Sequence, residues 1–303
     1  MKITCVGHIA LDYIFNVEKF PEPNTSIQIP SAKLYHGGAA ANTAVGIKKL
    51  GVDSELISCV GYDFKNSKYE KYLKTLGVNI AHLFYSDEEE TPKAWIFTDK
   101  DNNQITFFLW GAAKHYRDIK PFELKSNIVH IATGDPKFNI EMAKKNYNKS
   151  IVSFDPGQDL PLYNKEDLEE VIKYSNFLFM NKHEFERAKN LLNYNLEDFI
   201  KNLDILVVTK GSKGSVIYTK DEKIEIPAIK PKKVVDPTGA GDAYRAGFLT
   251  GYLKGYDLKS CGLIASATAS FVVEEKGCQT NLPTWEEVVE RLRKEGYELK
   301  VRN

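Results

Sequence analysis

The chain has 303 residues, and 41 Lys and Arg balance 41 Asp and Glu to a formal net charge of zero. That balance argues against a nucleic-acid binder that grips phosphates without reading sequence, and equally against a polybasic membrane-surface protein. With 43% hydrophobic and 12% aromatic residues, the composition is that of a globular chain and excludes a disordered one.

No apolar run approaches the ~18 residues that cross a bilayer. Residues 1–8 enter a strand-like pattern with no signal-peptide apolar region or cleavage site. Cys5, Cys59, Cys261 and Cys278 stand apart, none in a C-x-x-C pair, which predicts buried thiols in a reducing compartment. The expected location is the cytoplasm.

In chain order, apolar runs at 2–9, 54–60, 128–132, 150–154, 177–180 and 205–209 predict strands. Amphipathic stretches at 40–50, 69–76, 165–174 and 184–192 predict helices between them, two of them closed by Gly51 and Gly77. Strands apolar throughout and spaced by single helices imply a parallel sheet covered on both faces, an α/β layout. Segments 26–35 and 94–110 break the rhythm, the second folding back at Thr98-Asp99-Lys100-Asp101-Asn102-Asn103. A small antiparallel sheet over the carboxyl ends of the parallel strands, where ligands bind in such folds, is the functional reading; a hairpin without a role is the plain one. The apolar stretch 261–273 predicts a buried helix, a candidate wall for an adenine pocket.

No G-x-x-x-x-G-K-[ST] occurs, and no G-x-G-x-x-G follows a strand, so neither a P-loop nor a dinucleotide fold is indicated. His183-Glu184-Phe185-Glu186-Arg187 imitates a zinc-protease helix, but Arg187 stands where the second histidine is needed and cannot ligate zinc. The strongest segment runs from Val234 to Phe248 through Asp236-Pro237-Thr238-Gly239-Ala240-Gly241-Asp242. Gly239, Ala240 and Gly241 present backbone N–H groups at a helix start, where free donors and the helix dipole make an anion site. Asp242 falls in the first helical turn, which favours its ionised form. An ionised carboxylate beside an anion hole suits removal of a hydroxyl proton while the hole holds a phosphoryl group. The plain alternative is a glycine-rich helix entry with an acidic cap.

Asp236–Asp242 followed by Ala246-Gly247-Phe248 resembles the C-terminal signature of the ribokinase-like (PfkB) carbohydrate and nucleoside kinases. Gly37-Gly38-Ala39-Ala40-Ala41-Asn42-Thr43-Ala44 with Leu50-Gly51 resembles that family's glycine-rich substrate motif. Asn181-Lys182-His183-Glu184 matches its N-x-x-E element, and Thr209-Lys210-Gly211-Ser212-Lys213-Gly214 its nucleotide-contacting T-x-G-x-x-G turn. Within the family, residues 242–248 and the lid-like stretch with Gln28 are most similar to archaeal broad-specificity nucleoside kinases.

The resemblance implies one ribokinase-like α/β domain over residues 1–303: a mostly parallel central sheet flanked by helices, with a small β-sheet lid from segments near 13–36 and 91–110. It implies Asp242 as catalytic base, with Gly239, Ala240 and Gly241 as the anion hole. Asn181 and Glu184 would organise Mg²⁺ largely through water; the alternative is a capping box at a helix start. Thr209, Gly211 and Gly214 would line the phosphates and ribose of ATP. On the acceptor side, Asp12 would take two neighbouring sugar hydroxyls, Asn42 would donate to and accept from a hydroxyl, and Gly38 would let the sugar approach the backbone. Gln28 would read a nucleobase edge, its plain alternative being a solvent-facing side chain. Arg245, three residues after Asp242, either tunes the base or touches the transferring phosphate, its plain alternative being a solvated side chain.

The expected activity is transfer of the γ-phosphoryl group of ATP to a sugar hydroxyl, most of all the 5′-hydroxyl of a nucleoside. Kinases of a free sugar or a sugar phosphate, and a non-catalytic nucleotide sensor, are the alternatives. A projecting sheet with an open edge also predicts a homodimer through the lids, with neither nucleic acid nor membrane as partner.

Overall fold

The computed structural model describes residues 1–101 and 103–302. Asn102, in the predicted turn between two lid strands, lies outside the described residues. The chain opens with β1 (Lys2–Val6), β2 (Ala10–Asn16), β3 (Ser31–Gly37) and α1 (Ala39–Lys49), followed by β4 (Asp53–Val60), α2 (Lys68–Leu76) and β5 (Asn79–Tyr85). A hairpin of β6 (Lys93–Thr98) and β7 (Gln104–Leu109) interrupts the alternation. The alternation resumes through β8 (Ile128–Ile131), α3 (Pro136–Asn146), β9 (Ile151–Phe154), α4 (Lys165–Lys173), β10 (Phe177–Asn181), α5 (Lys182–Leu192), α6 (Leu196–Asn202) and β11 (Ile205–Thr209). The chain closes with β12 (Ser215–Tyr218), β13 (Lys223–Ile226), α7 (Ala240–Leu253), α8 (Leu258–Val272) and α9 (Trp285–Lys294).

Nine strands form the main sheet in the order β13-β12-β11-β10-β9-β8-β1-β4-β5. Pairing is parallel from β5 to β11 and antiparallel only at β12 and β13. Each inner strand sends alternate side chains to two cores: Ile205 and Val207 of β11 join α1, α7 and α8 on one face, while Leu206 and Val208 join α3, α4 and α5 on the other. That two-sided burial is why these strands read as unbroken apolar runs. The predicted helices at 40–50, 69–76, 165–174 and 184–192 agree with α1, α2, α4 and α5 to within two residues. Gly77 closes α2 in the left-handed conformation at φ 76°. All four cysteines are buried and unpaired. Among the described residues, no helix is long and apolar enough to cross a membrane.

Two expectations need correction. The first strand ends at Val6 rather than residue 9; Gly7, at φ 141°, turns the chain out of the main sheet and into a second one at Ala10. The strand expected over 26–35 begins only at Ser31. The second sheet has the order β3-β2-β6-β7 and is mixed rather than antiparallel. Each hairpin is antiparallel, but β2 and β6 come from separate parts of the chain and lie side by side in the same direction. Side chains alternate across this sheet: Asp12, Ala94, Ile96, Thr106 and Phe108 turn toward the carboxyl edge of the main sheet. On the opposite face Tyr13 stacks on Trp95 and Phe15 on Phe97, at ring separations of 6.0 and 4.7 Å.

Candidate active site

A cleft of about 600 Å³ opens between the inner face of the small sheet and the carboxyl ends of the parallel strands. The main-sheet topology delivers its floor: His8 follows β1, Thr133 follows β8, Asp155 follows β9, Asn181 ends β10 and Thr209 ends β11. The small sheet adds Asp12, and the starts of α1 and α7 add Gly38, Asn42 and the Gly239–Asp242 turn. Residues from all four motifs therefore meet in one cavity, although they are spread over most of the chain.

Gly239 caps α7 in the left-handed conformation at φ 80°. The Ala240 N–H closes a turn on the Pro237 carbonyl at 3.2 Å, so it is not a free donor as expected. The amides of Gly241 and Asp242 have no acceptor among the described residues, so with the helix dipole they are the donors of this turn that an anion could engage. Asp242 Oδ2 accepts from Asn42 Nδ2 at 2.8 Å. Burial pushes the Asp242 carboxyl up to about 6; Arg245 and the Asn42 donor pull it down, and Asp155 adds repulsion. Asp12 is pushed up to about 7, first by burial and then by the charge of Asp242.

Arg245 is buried, and neither solvated nor directed at solvent: Nη2 donates to Asp155 Oδ1 at 2.8 Å, and Nε pairs with Oδ2 of the same carboxylate. A Cβ at position 241 would strike its guanidinium, so glycine at that position lets the cation lie against the first turn of α7. Asp155 was not singled out from the sequence; its one signal is an acidic residue directly after a buried parallel strand. His8 was also missed. It is buried, with Nε2 3.3 Å from Asp159 Oδ2 and its ring 5.1 Å from both Phe108 and Trp110.

Asn181 and Glu184 form the capping box: Asn181 Oδ1 accepts from the His183 and Glu184 amides at 2.8 and 2.9 Å, and Glu184 Oε2 accepts from the Asn181 amide at 2.7 Å. Both still line the cleft. Among the described residues, no three His, Cys, Asp or Glu side chains converge as a metal cage. One free carboxylate oxygen suits only an ion that keeps most of its water, which is the habit of Mg²⁺.

Thr209 and Gly211 line the cleft, whereas Gly214 does not; it turns the chain into β12 at φ 81°. Gln28 is exposed in the segment between β2 and β3 and lies outside the cleft lining. Helix α8 is buried as expected but contributes no residue to the cleft wall.

A mostly parallel sheet with a second small sheet over its carboxyl edge, and a carboxylate beside the open amides of a helix start, define a ribokinase-like phosphotransferase acting on an alcohol group. The family model for pfkB family carbohydrate kinases matches residues 1–285, and the chain belongs to that family. A protein from Methanocaldococcus jannaschii named nucleoside kinase is 76% identical over 293 residues, covering 97% of each chain. Another of that name from Methanothermobacter thermautotrophicus is 45% identical, covering 98% of this chain and 97% of its own. The crystal structure of the M. jannaschii nucleoside kinase matches with a TM-score of 0.94 over 97% of this chain and 98% of that one. The Burkholderia thailandensis nucleoside kinase in complex with ADP and inosine is 26% identical with a TM-score of 0.88, covering 100% of this chain and 98% of that one.

The raised carboxyls have a consequence for stability. A carboxyl that holds its proton more tightly in the fold stabilises fully below its unfolded value near 3.8, and that contribution is lost as pH rises through the folded value, about 7 for Asp12. At mildly alkaline pH the buried Asp12 charge is therefore a cost. Asp12→Asn is expected to raise the melting temperature of the ligand-free protein there, with the gain shrinking as pH falls toward 3.8. A variant less stable than the wild type at alkaline pH would contradict this.

Proposed function

We propose that this chain is an ATP- and Mg²⁺-dependent kinase that phosphorylates the 5′-hydroxyl of nucleosides. The observation that carries the phosphoryl-transfer reading is the Asp242 carboxylate, enclosed at the cleft floor beside the unpartnered amides of Gly241 and Asp242. In this reading Asp242 accepts the hydroxyl proton as the acceptor oxygen attacks the γ-phosphorus, and the amides with the helix dipole take up charge on the transferred group. Asn42 holds the second oxygen of Asp242, leaving the first free for the proton. Mg²⁺, when bound, supplies charge neutralisation between the ATP phosphates; Glu184, with Asn181, would hold it through water. Thr209 and Gly211 lie where the donor phosphates and ribose would pass, and Gly214 shapes the turn that presents them.

The acceptor side supports a nucleoside over a free sugar. Asp12 and Gly38 stand next to Asn42, where a ribose would place two neighbouring hydroxyls. Beyond them the cleft continues along His8, Phe108 and Trp110, an aromatic wall that a bare pentose would leave uncovered. The relatives named nucleoside kinase, and the Burkholderia enzyme with inosine and ADP, support the same assignment. Closure of the small sheet over this cleft would exclude water and spare ATP from hydrolysis. The cytoplasm, with its ATP and reduced thiols, is the fitting compartment, and with zero net charge neither nucleic acid nor membrane is a fitting partner.

A homodimer through the small sheets is part of the same proposal. The face turned away from the cleft is aromatic, and Phe107 on the edge strand β7 is 62% exposed. Phe107→Asp should shift the mass found by light scattering from two copies toward one. A wild-type protein that is monomeric at assay concentration would end the dimer reading.

The activity is tested by ATP consumption across nucleosides, pentoses, hexoses and hexose phosphates. Nucleosides should give the highest kcat/KM. Turnover confined to hexoses or hexose phosphates would overturn the nucleoside assignment, and no turnover with any acceptor would overturn the kinase reading. Asp242→Asn should lower kcat by about 10²–10⁴-fold while ATP still binds; near-normal turnover would remove Asp242 from the base role.

A further inference from the structure

We infer that Tyr69 and Gln279 are positioning residues for the base, the middle links of a hydrogen-bond relay of fixed polarity that starts at the Gly37 carbonyl and ends on Asp242. The inference rests on the reading of Asp242 as the base.

Polarity can be worked out link by link from one end. A backbone carbonyl only accepts, so the Tyr69 hydroxyl donates its single proton to Gly37 O, at 2.8 Å. What the Tyr69 oxygen turns to Gln279 is therefore a lone pair, and Gln279 must present its amide nitrogen, which donates at 2.6 Å. The second hydrogen of that nitrogen reaches Asn42 Oδ1 at 2.8 Å. With its oxygen engaged, the Asn42 amide can only offer Nδ2 to Asp242 Oδ2, again at 2.8 Å. An ionised carboxylate only accepts, so the far end demands the same polarity as the near end.

The relay is enclosed: Tyr69, Asn42 and Gln279 are 1%, 4% and 8% exposed. Turning the Gln279 amide over would set its oxygen against Asn42 Oδ1. Turning Asn42 to relieve that would set Oδ1 against the Asp242 carboxylate. A single reversal thus propagates to the base, and the orientation is held even though Gln279 Oε1 is left buried without a partner. The relay also begins in the small sheet. Gly37 ends β3, and the neighbouring His36 ring lies on the Tyr69 ring at 4.1 Å and an interplanar angle of 3°. The position of the small sheet is thereby connected to the donor that faces the base.

A hydrogen bond to the ionised form holds a carboxyl pKa down, so losing the donor moves the pH at which the base becomes available upward. The other charged or titratable groups facing Asp242 are Asp12 from β2, Cys5 from β1, Asp155 after β9, Arg245 on α7 and Cys278. None of them is altered by substitution at Gln279 or Tyr69. Gln279→Leu removes the donor to Asn42; Tyr69→Phe removes the hydroxyl while keeping the ring on His36.

The test is the pH profile of kcat, with KM for ATP measured alongside, for Gln279→Leu, Tyr69→Phe and the double variant. The acid limb should move toward higher pH in Gln279→Leu, with kcat below the limb falling about tenfold for one unit of displacement. Tyr69→Phe should move it in the same direction by less, the double variant no further than Gln279→Leu, and KM for ATP should stay unchanged. Should Gln279→Leu fail to fold, Tyr69→Phe decides alone. Acid limbs unmoved in the folded variants, or strictly additive effects, would overturn the relay. Asp242→Asn separates the two ideas: a large loss of kcat there with unmoved limbs in the relay variants sinks the relay alone, whereas retained turnover sinks the base assignment beneath it.

Discussion

Among the described residues, five carboxylates line one cleft (Asp12, Asp155, Asp159, Glu184 and Asp242), and the one guanidinium among its lining residues is that of the buried Arg245. The geometry commits this cation to Asp155 through two contacts. Asp242 still feels the Arg245 charge and the Asn42 donor, but burial outweighs them, and burial with the Asp242 charge raises Asp12 as well. Removing one partner of a buried pair typically costs about 3–5 kcal/mol, so the Asp155–Arg245 pair anchors the carboxyl end of β9 to α7 as well as setting the local field. Zero net charge takes on a definite meaning here. In the proposed activity, a chain without a broadly basic surface must meet polyanionic phosphates locally, and the open amides of Gly241 and Asp242 would be that local provision.

The rest of the architecture places this charge cluster where substrate can reach it. Parallel pairing from β5 to β11 brings the carboxyl ends of seven strands to one edge, and five of them, β1, β8, β9, β10 and β11, deliver polar cleft residues at or just after their ends. The small sheet then divides its residues by the two-residue period of a strand. Asp12 and Phe108 face the cleft, while Tyr13, Trp95 and Phe107 face away. One sheet thus has a wall of the cleft on one side and an aromatic exterior on the other.

Much of this was legible in the sequence because it is local. The Gly239–Asp242 turn, the Asn181–Glu184 cap and the β11 turn each occupy a few consecutive residues whose spacing carries their geometry. The buried strands announce themselves by unbroken apolar runs. What stayed hidden depends on long-range pairing. Asp155 and Arg245 meet across 90 positions and Gln279 and Asn42 across 237, and neither pair has a local signature. The parallel contact between β2 and β6 was equally invisible, since hairpin patterns report only on neighbours in the chain. Gln28 shows the converse limit: a residue type suited to base recognition is exposed outside the cleft, because nothing local distinguishes an inward from an outward glutamine in an irregular segment. Asn42 was read as a sugar contact, and the structure commits one of its amide hydrogens to Asp242 and its oxygen to Gln279.

Burial of Asp242 beside Asp155, against the pull of Arg245 and the Asn42 donor, raises its ionisation toward the working range of a base. Carboxyl-carbon NMR titration of aspartate-labelled protein measures that ionisation site by site, with Asp242→Asn supplying the assignment. The resonance that disappears in the variant is expected to titrate in the wild type at about 6. A midpoint at the ordinary value of 3.8 would show that the carboxylate is not held by its surroundings as described, and would contradict the account.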